Sequence, residues 1–186
     1  MAQVKYDGSN IRAEFSLKSG WYKFGTRTRL FDKFDPDFGG AIDIFHAKYA
    51  DKIAQVVATH PSYKKVDRLI AYMEFVGPRS FAGKHHADDP KDLILFDVNV
   101  HKKGFVAPRD FIDHFGGRME IPKVVYEGPF SAEFVQDVRD GKYPVVEGVI
   151  AKGGSGHSFW MRKVKTLSYL QKLKEMHGEN WKNFWE

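Results

Sequence analysis

The stretch "KYDGSN", Lys5 to Asn10, sets a lysine, an acidic residue and a glycine close together near the start of the chain. It admits two readings. One is an ordinary charged turn, because Asp-Gly is a common turn pair. The other is a lysine nucleophile held in place by its neighbours. A lysine, any residue, Asp and Gly occur by chance in on the order of a few per cent of chains of this length, so the choice rests on the rest of the sequence.

Four segments read as buried strands: "RLIAYMEFVG" (Arg68–Gly77), "DLILFDVNV" (Asp92–Val100), "KVVYEG" (Lys123–Gly128) and "PVVEGVIAKG" (Pro144–Gly153). Each is short, apolar or β-branched, and bounded by Gly, Pro or Asp. Three of them are interrupted by acidic residues, Glu74, Asp97 and Glu147, and "FWMRKVKT" carries Lys163 and Lys165. A buried charge is costly unless it is paired or lines a site. Residues i and i+2 of a strand share a face, so Lys163 and Lys165 project together, as would Lys5 and Asp7 in an extended segment. One cleft can collect them all.

Helices are expected between these runs. Ile42, Phe45, Tyr49, Ile53, Val56 and Val57 fall on one side of a helix that should stop before His60-Pro61. Pro108 can start a short helix that Gly116-Gly117 ends, and Ser131 can cap one that ends near Gly141. Leu167, Leu170 and Leu173 form an apolar stripe in the last segment. The pattern is α+β in one compact unit, without repeats or low-complexity linkers.

The 186 residues suit a single domain, and 42% hydrophobic with 28% charged residues is the profile of a soluble globular chain. With no cysteine there is no disulfide framework and no thiolate site, which fits a reducing compartment. The opening "MAQVKYDGSN" lacks a signal-peptide core and no apolar run approaches membrane-spanning length, so an intracellular protein with no membrane partner is expected. A net charge of +5 favours polyanionic partners weakly.

Taken in order, "KYDGSN", "FGTRTR", "EFVGP", "LFDV", "EGVIAK" and "RKVK" resemble the motif series of the covalent nucleotidyltransferases, the superfamily of polynucleotide ligases and messenger-RNA capping enzymes. The resemblance spans Lys5 to Lys165. DNA ligases usually place Arg where Asn10 stands, and the nick-sealing RNA ligases of phage place Asn, so the chain looks like an ATP-dependent RNA ligase. The fold implied is a nucleotidyltransferase (ATP-grasp-like) domain of antiparallel sheets flanked by helices, with the nucleotide pocket between them. The activity implied is RNA repair: AMP passes from ATP to Lys5, then to a 5′-phosphate, and a 3′-hydroxyl displaces it to form a phosphodiester.

The resemblance also assigns roles. Lys5 would be the nucleophile, with Val4 beside it in the nucleotide pocket. Arg27 would contact the ribose and a nucleic-acid phosphate, with Arg29 as the alternative. Glu74 would bind the ribose and Phe96 would stack on adenine. Glu147 would act through a divalent metal or orient the lysine, Lys163 and Lys165 would hold the α-phosphate, and Asn10 would line the pocket and serve the sealing steps. Asp97 is a metal or water ligand, or a cap for backbone groups. ATP and Mg²⁺ (or Mn²⁺) are the implied cofactors, and RNA or a nicked duplex with 5′-phosphate and 3′-OH ends the implied partner. The domain implied is a single minimal adenylyltransferase domain over 1–186, with 166–186 a helical tail, no OB-fold domain, and a partner protein to supply the missing part. The implied setting is cytoplasmic, a phage-encoded enzyme in its host being one case. A DNA-nick ligase and a non-catalytic binding module of the same fold are the competing readings.

The chemistry asks for this set of residues. Lysine attacks phosphorus only as the neutral amine, and an unperturbed lysine is neutral in about one molecule in a thousand near pH 7.4. Neighbouring cations favour the neutral form and also stabilise charge on the transferring phosphoryl group. "KHHADD" (Lys84–Asp89) tempts a metal-site reading, but adjacent histidines of a strand point to opposite faces, and a polar loop is expected there.

Overall fold

The computed structural model describes residues 1–77 and 90–184. The "KHHADD" segment and Trp185 lie outside the described residues. Contacts group the chain into two units.

The smaller unit comprises Met1–Tyr6, Pro122–Gly153 and Trp160–Glu186. Its first strand is β1 (Ala2–Lys5). The larger unit, Asp7–Ile121 with Gly154–Phe159, supplies β2 (Ser9–Ser16), β3 (Gly20–Thr26), β4 (Leu30–Phe31), β5 (Arg68–Val76), β6 (Asp92–Val100) and β7 (Gly104–Phe105). They form one antiparallel sheet in the order β4-β3-β2-β5-β6-β7.

One helical run covers the larger sheet. It consists of α1 (Gly39–Phe45), a π-helical turn (His46–Ala50) and α2 (Asp51–Thr59). It stops before His60-Pro61, as the helix-disfavouring effect of proline on the preceding residue requires. Phe45, Tyr49, Ile53, Val56 and Val57 are buried and share a core with Ile11, Ala13, Met73, Leu93 and Leu95. The Tyr49 hydroxyl donates to the carbonyl of Leu93, and Trp21 Nε1 donates to the Ala50 carbonyl at 3.1 Å, so these two polar tips in the core are satisfied. α3 (Pro108–Phe111) opens with proline at its first turn and continues as a π-helical turn to Gly116.

In the smaller unit, β1 joins β8 (Val124–Tyr126), β9 (Gly148–Gly153) and β10 (Trp160–Lys165) in an antiparallel sheet of order β10-β9-β1-β8. α4 (Ala132–Arg139) lays Phe134 and Val138 on Ala2, Val149, Ala151 and Val164. Ser131 Oγ accepts the Phe134 N–H at 3.1 Å, the N-cap expected from the sequence, and Gly141 follows the helix at φ +74°. α5 (Leu167–His177) is capped by Thr166, whose Oγ1 accepts the Tyr169 N–H. The expected stripe of three leucines is only partly realised: Leu173 is buried, but Leu167 is 53% exposed, and Tyr169 is the helix's second buried side chain.

The ends of the helical run and of α3 meet at three aromatic side chains. Tyr63 Oη lies 2.8 Å from His114 Nδ1, and the His60 and His114 rings are 3.9 Å apart. Burial, then His60, hold the His114 pKa below its ordinary value, against the opposing pull of Asp110 and Asp113. The folded state therefore binds this proton less readily than the unfolded chain. Its contribution to stability is complete above the ordinary histidine pKa, near 6.5, and is lost as pH falls through the lowered folded value. The denaturant midpoint is expected to drop between about pH 7.5 and about pH 5.5. The drop should be smaller in His114→Gln, and equal drops in the two proteins would count against this account.

Candidate active site

β1 ends at Lys5, Asp7 and Gly8 form a bend, and β2 begins at Ser9. The segment is therefore not extended through Asp7, and Lys5 and Asp7 do not share a strand face. Gly8 owes its identity to close packing. A Cβ there would lie 2.5 Å from the Phe75 carbonyl oxygen and 2.9 Å from Glu74 Cγ, so only glycine lets the chain enter β2 against β5.

In the smaller unit, the register aligns Lys5 with Gly148 and Gly148 with Lys165. Directly opposed residues of antiparallel strands present their side chains to the same face. Lys5 and Lys165 thus flank a position with no side chain, and their long stems can converge over it. Gly148 admits no substitute: it sits at φ +153°, and a Cβ would fall 2.0 Å from the Val164 carbonyl oxygen. Glu147, next to it, receives both lysines. Its Oε1 lies 2.6 Å from Lys5 Nζ and 3.1 Å from Lys165 Nζ. Glu147 is 3% exposed, and its Oε2 is buried with no hydrogen-bond partner among the described residues.

Backbone and side-chain bonds hold Glu147 in place. The Thr166 N–H donates to the Glu147 carbonyl at 3.0 Å, and Thr166 Oγ1 donates to the Val146 carbonyl at 2.9 Å. Lys165 Nζ also lies 5.1 Å from the centre of the Tyr169 ring. Lys163 lies two residues earlier on the same strand, opposite Ile150, and is exposed. Val4 alternates to the other face of the sheet, opposite Val149, so its side chain does not accompany Lys5.

In the larger unit, Asn10 is directly opposite Glu74, and one row along Arg12 is opposite Tyr72, which is opposite Asp97. These side chains share the sheet face turned away from the core. Phe96 reaches that face through a bulge. Asp97 pairs with Tyr72 and Leu95 with Met73, which leaves Phe96 as the extra residue. Leu93 and Leu95 stay in the core before it and Val98 and Val100 after it, while Phe96 is half-buried, its ring 6.4 Å from Tyr72. Arg29 pairs with Asp35, holding that carboxyl at about 2, and lies over the Phe38 ring. Arg27 sits in the exposed turn after β3.

Sequence reasoning missed Arg12 and Tyr72. Their signal was present: once β2 is recognised, Arg12 is two residues beyond Asn10 and Tyr72 two before Glu74, on the same faces.

No family model and no curated protein matches the chain. Solved structures do. A Naegleria gruberi RNA ligase variant without ligand superposes with a TM-score of 0.65 at 17% identity, over 94% of this chain and 51% of that one. Another variant of that ligase, with ATP and Mn, gives 0.63 at 16% identity, over 92% and 50%. An archaeal ATP-dependent RNA ligase gives 0.58 at 15% identity, over 98% and 48%. The chain spans about half the length of these ligases, and over that span it has their fold, an α+β architecture of two antiparallel sheets flanked by helices.

Proposed function

We propose that the chain is the minimal adenylyltransferase domain, over residues 1–186, of an ATP-dependent RNA ligase. The observation that carries this reading is the convergence of Lys5 and Lys165 on one oxygen of the buried Glu147, within a fold shared with RNA ligases. Lys5 Nζ attacks the α-phosphorus of ATP, the bond to the β-phosphate oxygen breaks, pyrophosphate leaves, and the amine gives up its proton. AMP then passes to a 5′-phosphate, and a 3′-hydroxyl displaces it.

Each residue of the smaller unit has a physical task. Two ammonium groups share one carboxylate oxygen, which leaves an excess of positive charge beside the nucleophile. That excess attracts the triphosphate. Glu147 holds Lys5 at 2.6 Å, so the nucleophile is oriented before the nucleotide arrives. Lys165, with Lys163 on the same face, stabilises the charge that develops on the α-phosphoryl oxygens.

The donor set fits Mg²⁺ or Mn²⁺. The free, buried Oε2 of Glu147 offers one hard oxygen, and the described residues contain no cluster of three or more His, Asp or Glu side chains to cage a metal. Phosphate oxygens and water would complete its coordination. The ion supplies neutralisation of phosphate charge when bound. In the larger unit, Glu74 would hold the ribose, Phe96 would stack on adenine, and Asn10 would serve the sealing steps on RNA. Arg27, or Arg29 with its Asp35 pair, would make the phosphate contact.

Incubation with α-labelled ATP and Mg²⁺ or Mn²⁺ is expected to leave label on the denatured protein and none on Lys5→Ala. Equal labelling of the two proteins would sink the reading. Lys165→Ala should slow adduct formation by about a hundredfold, the usual effect of removing one charge-stabilising donor. Gly148→Ala should lower the melting temperature, because backbone strain of this kind costs about 1–3 kcal/mol before the contact with the Val164 carbonyl is counted. It should also reduce labelling, and a wild-type melting curve would show that the strands can separate around a Cβ at no cost.

A further inference from the structure

A groove of about 510 Å³ opens on the smaller unit along β10, between α4 and the start of α5. β10 is the last strand of its sheet, with only β9 beside it among the described residues. The groove is lined by Arg139 from α4 and by Arg162, Lys163 and Lys165 from β10, and its lining contains no carboxylate. Arg139 and Arg162 are exposed, and neither forms an ion pair among the described residues; the Arg162 guanidinium donates only to the Met161 carbonyl, at 3.0 Å.

The groove also carries apolar surface that no described residue of the unit covers. Phe130 is 42% exposed, with its ring edge-on to Trp160 at 5.8 Å, and Leu167 at the other wall is 53% exposed. Exposed apolar surface rimmed by charge marks an interaction site. Arg139 and Arg162, exposed cations in a lining without a carboxylate, select a polyanion, and an exposed aromatic ring offers a stacking platform for a base. An acidic peptide would satisfy the charges alone. What separates the two occupants is where the groove leads: Lys165, one of its lining residues, is the lysine that shares Glu147 with Lys5.

We infer that this groove is a track for single-stranded RNA, in which Arg139 and Arg162 bind backbone phosphates and Phe130 stacks on a base, while the strand's 5′-phosphate end approaches Lys5. The direction of the strand rests on the ligase reading; the binding surface does not. Neither Arg139 nor Phe130 belongs to the motif series read from the sequence, and Arg162, the first letter of "RKVK", was given no role there.

The test is fluorescence anisotropy with a labelled, 5′-phosphorylated single-stranded RNA oligonucleotide, titrated at several salt concentrations. Wild-type protein is compared with Arg139→Glu/Arg162→Glu, with the milder Arg139→Gln/Arg162→Gln, and with Phe130→Ala, each checked for folding by its melting curve. The double arginine variants should weaken binding by at least about tenfold. They should also make the dependence of log K on log salt shallower by about 1.4, the value for two lost phosphate contacts on a single strand. Phe130→Ala should weaken binding with the slope unchanged, since stacking releases no counterions. Wild-type affinity and slope in the folded arginine variants would overturn the proposal and leave the groove to an acidic protein partner. Lysine labelling of the wild type is scored on the same preparation. Labelling absent with RNA binding lost in the variants refutes the ligase reading and keeps the groove, and labelling present with binding unchanged does the reverse.

Discussion

A carboxylate 3% exposed cannot stay ionised without partners, and Glu147 has two, Lys5 at 2.6 Å and Lys165 at 3.1 Å. The pairs offset the desolvation of all three groups, and removing Glu147 would leave two neighbouring lysines without this carboxylate. This constraint organises the smaller unit. It demands that β1 and β10 flank β9 in a register that sets both lysines beside Gly148, and that position 148 carry no side chain. It also demands that Thr166 clip the lead-in to β9 by its bonds to Val146 and Glu147. The sheet is in this sense built around one acidic residue, with the apolar layer of Phe134, Val138 and Val164 packed on its other face.

The same residues explain how much of the molecule can be read from sequence. Strands β5 and β6 were legible because they are apolar, β-branched and bounded by turn residues, and the helical run Gly39–Thr59 because its buried residues recur every three to four positions. The α+β class follows from these alone. β2 and β3 were not recognised, although Ile11, Ala13 and Phe15 alternate with polar residues as a half-buried strand should. β9 begins at Gly148, later than the apolar run from Pro144 suggests, because Val146 and Glu147 are held by Thr166 outside the ladder. The leucines of α5 misled for a different reason: spacing of three fixes a helix face, but which face is buried depends on tertiary packing, and Tyr169 took the place assigned to Leu167.

For the candidate site, motif order supplies the residue types and strand periodicity supplies their faces, but neither can supply the partners. That Lys5 and Lys165 meet on a single oxygen is a property of register, which connects residues 160 positions apart through β9. Phe96 is a subtler case. Its exposure follows from a phase shift, with Leu93 and Leu95 in the core on one side and Val98 and Val100 on the other. In a regular strand, core positions fall two or four residues apart. The apolar residues Leu95 and Val98 are three apart, and that spacing in the chain already marks a bulge at Phe96-Asp97.

Identities of 15–17% with ligases that share this fold are consistent with constraints that fall on few positions. Core side chains can be exchanged in concert so long as volume and pattern are kept. A backbone contact cannot be exchanged. At Gly8 a Cβ would meet the Phe75 carbonyl, at Gly148 the Val164 carbonyl, and in both cases the obstacle is main chain that no neighbouring substitution can shorten. Gly8 fixes how β2 enters against β5 and so where Asn10 meets Glu74, while Gly148 fixes how Lys5 and Lys165 close on Glu147. The local geometry around Asn10 and Glu74 in one unit, and around Lys5, Glu147 and Lys165 in the other, therefore depends on glycines whose only contribution is the absence of a side chain, and the remaining chain is free to vary around them.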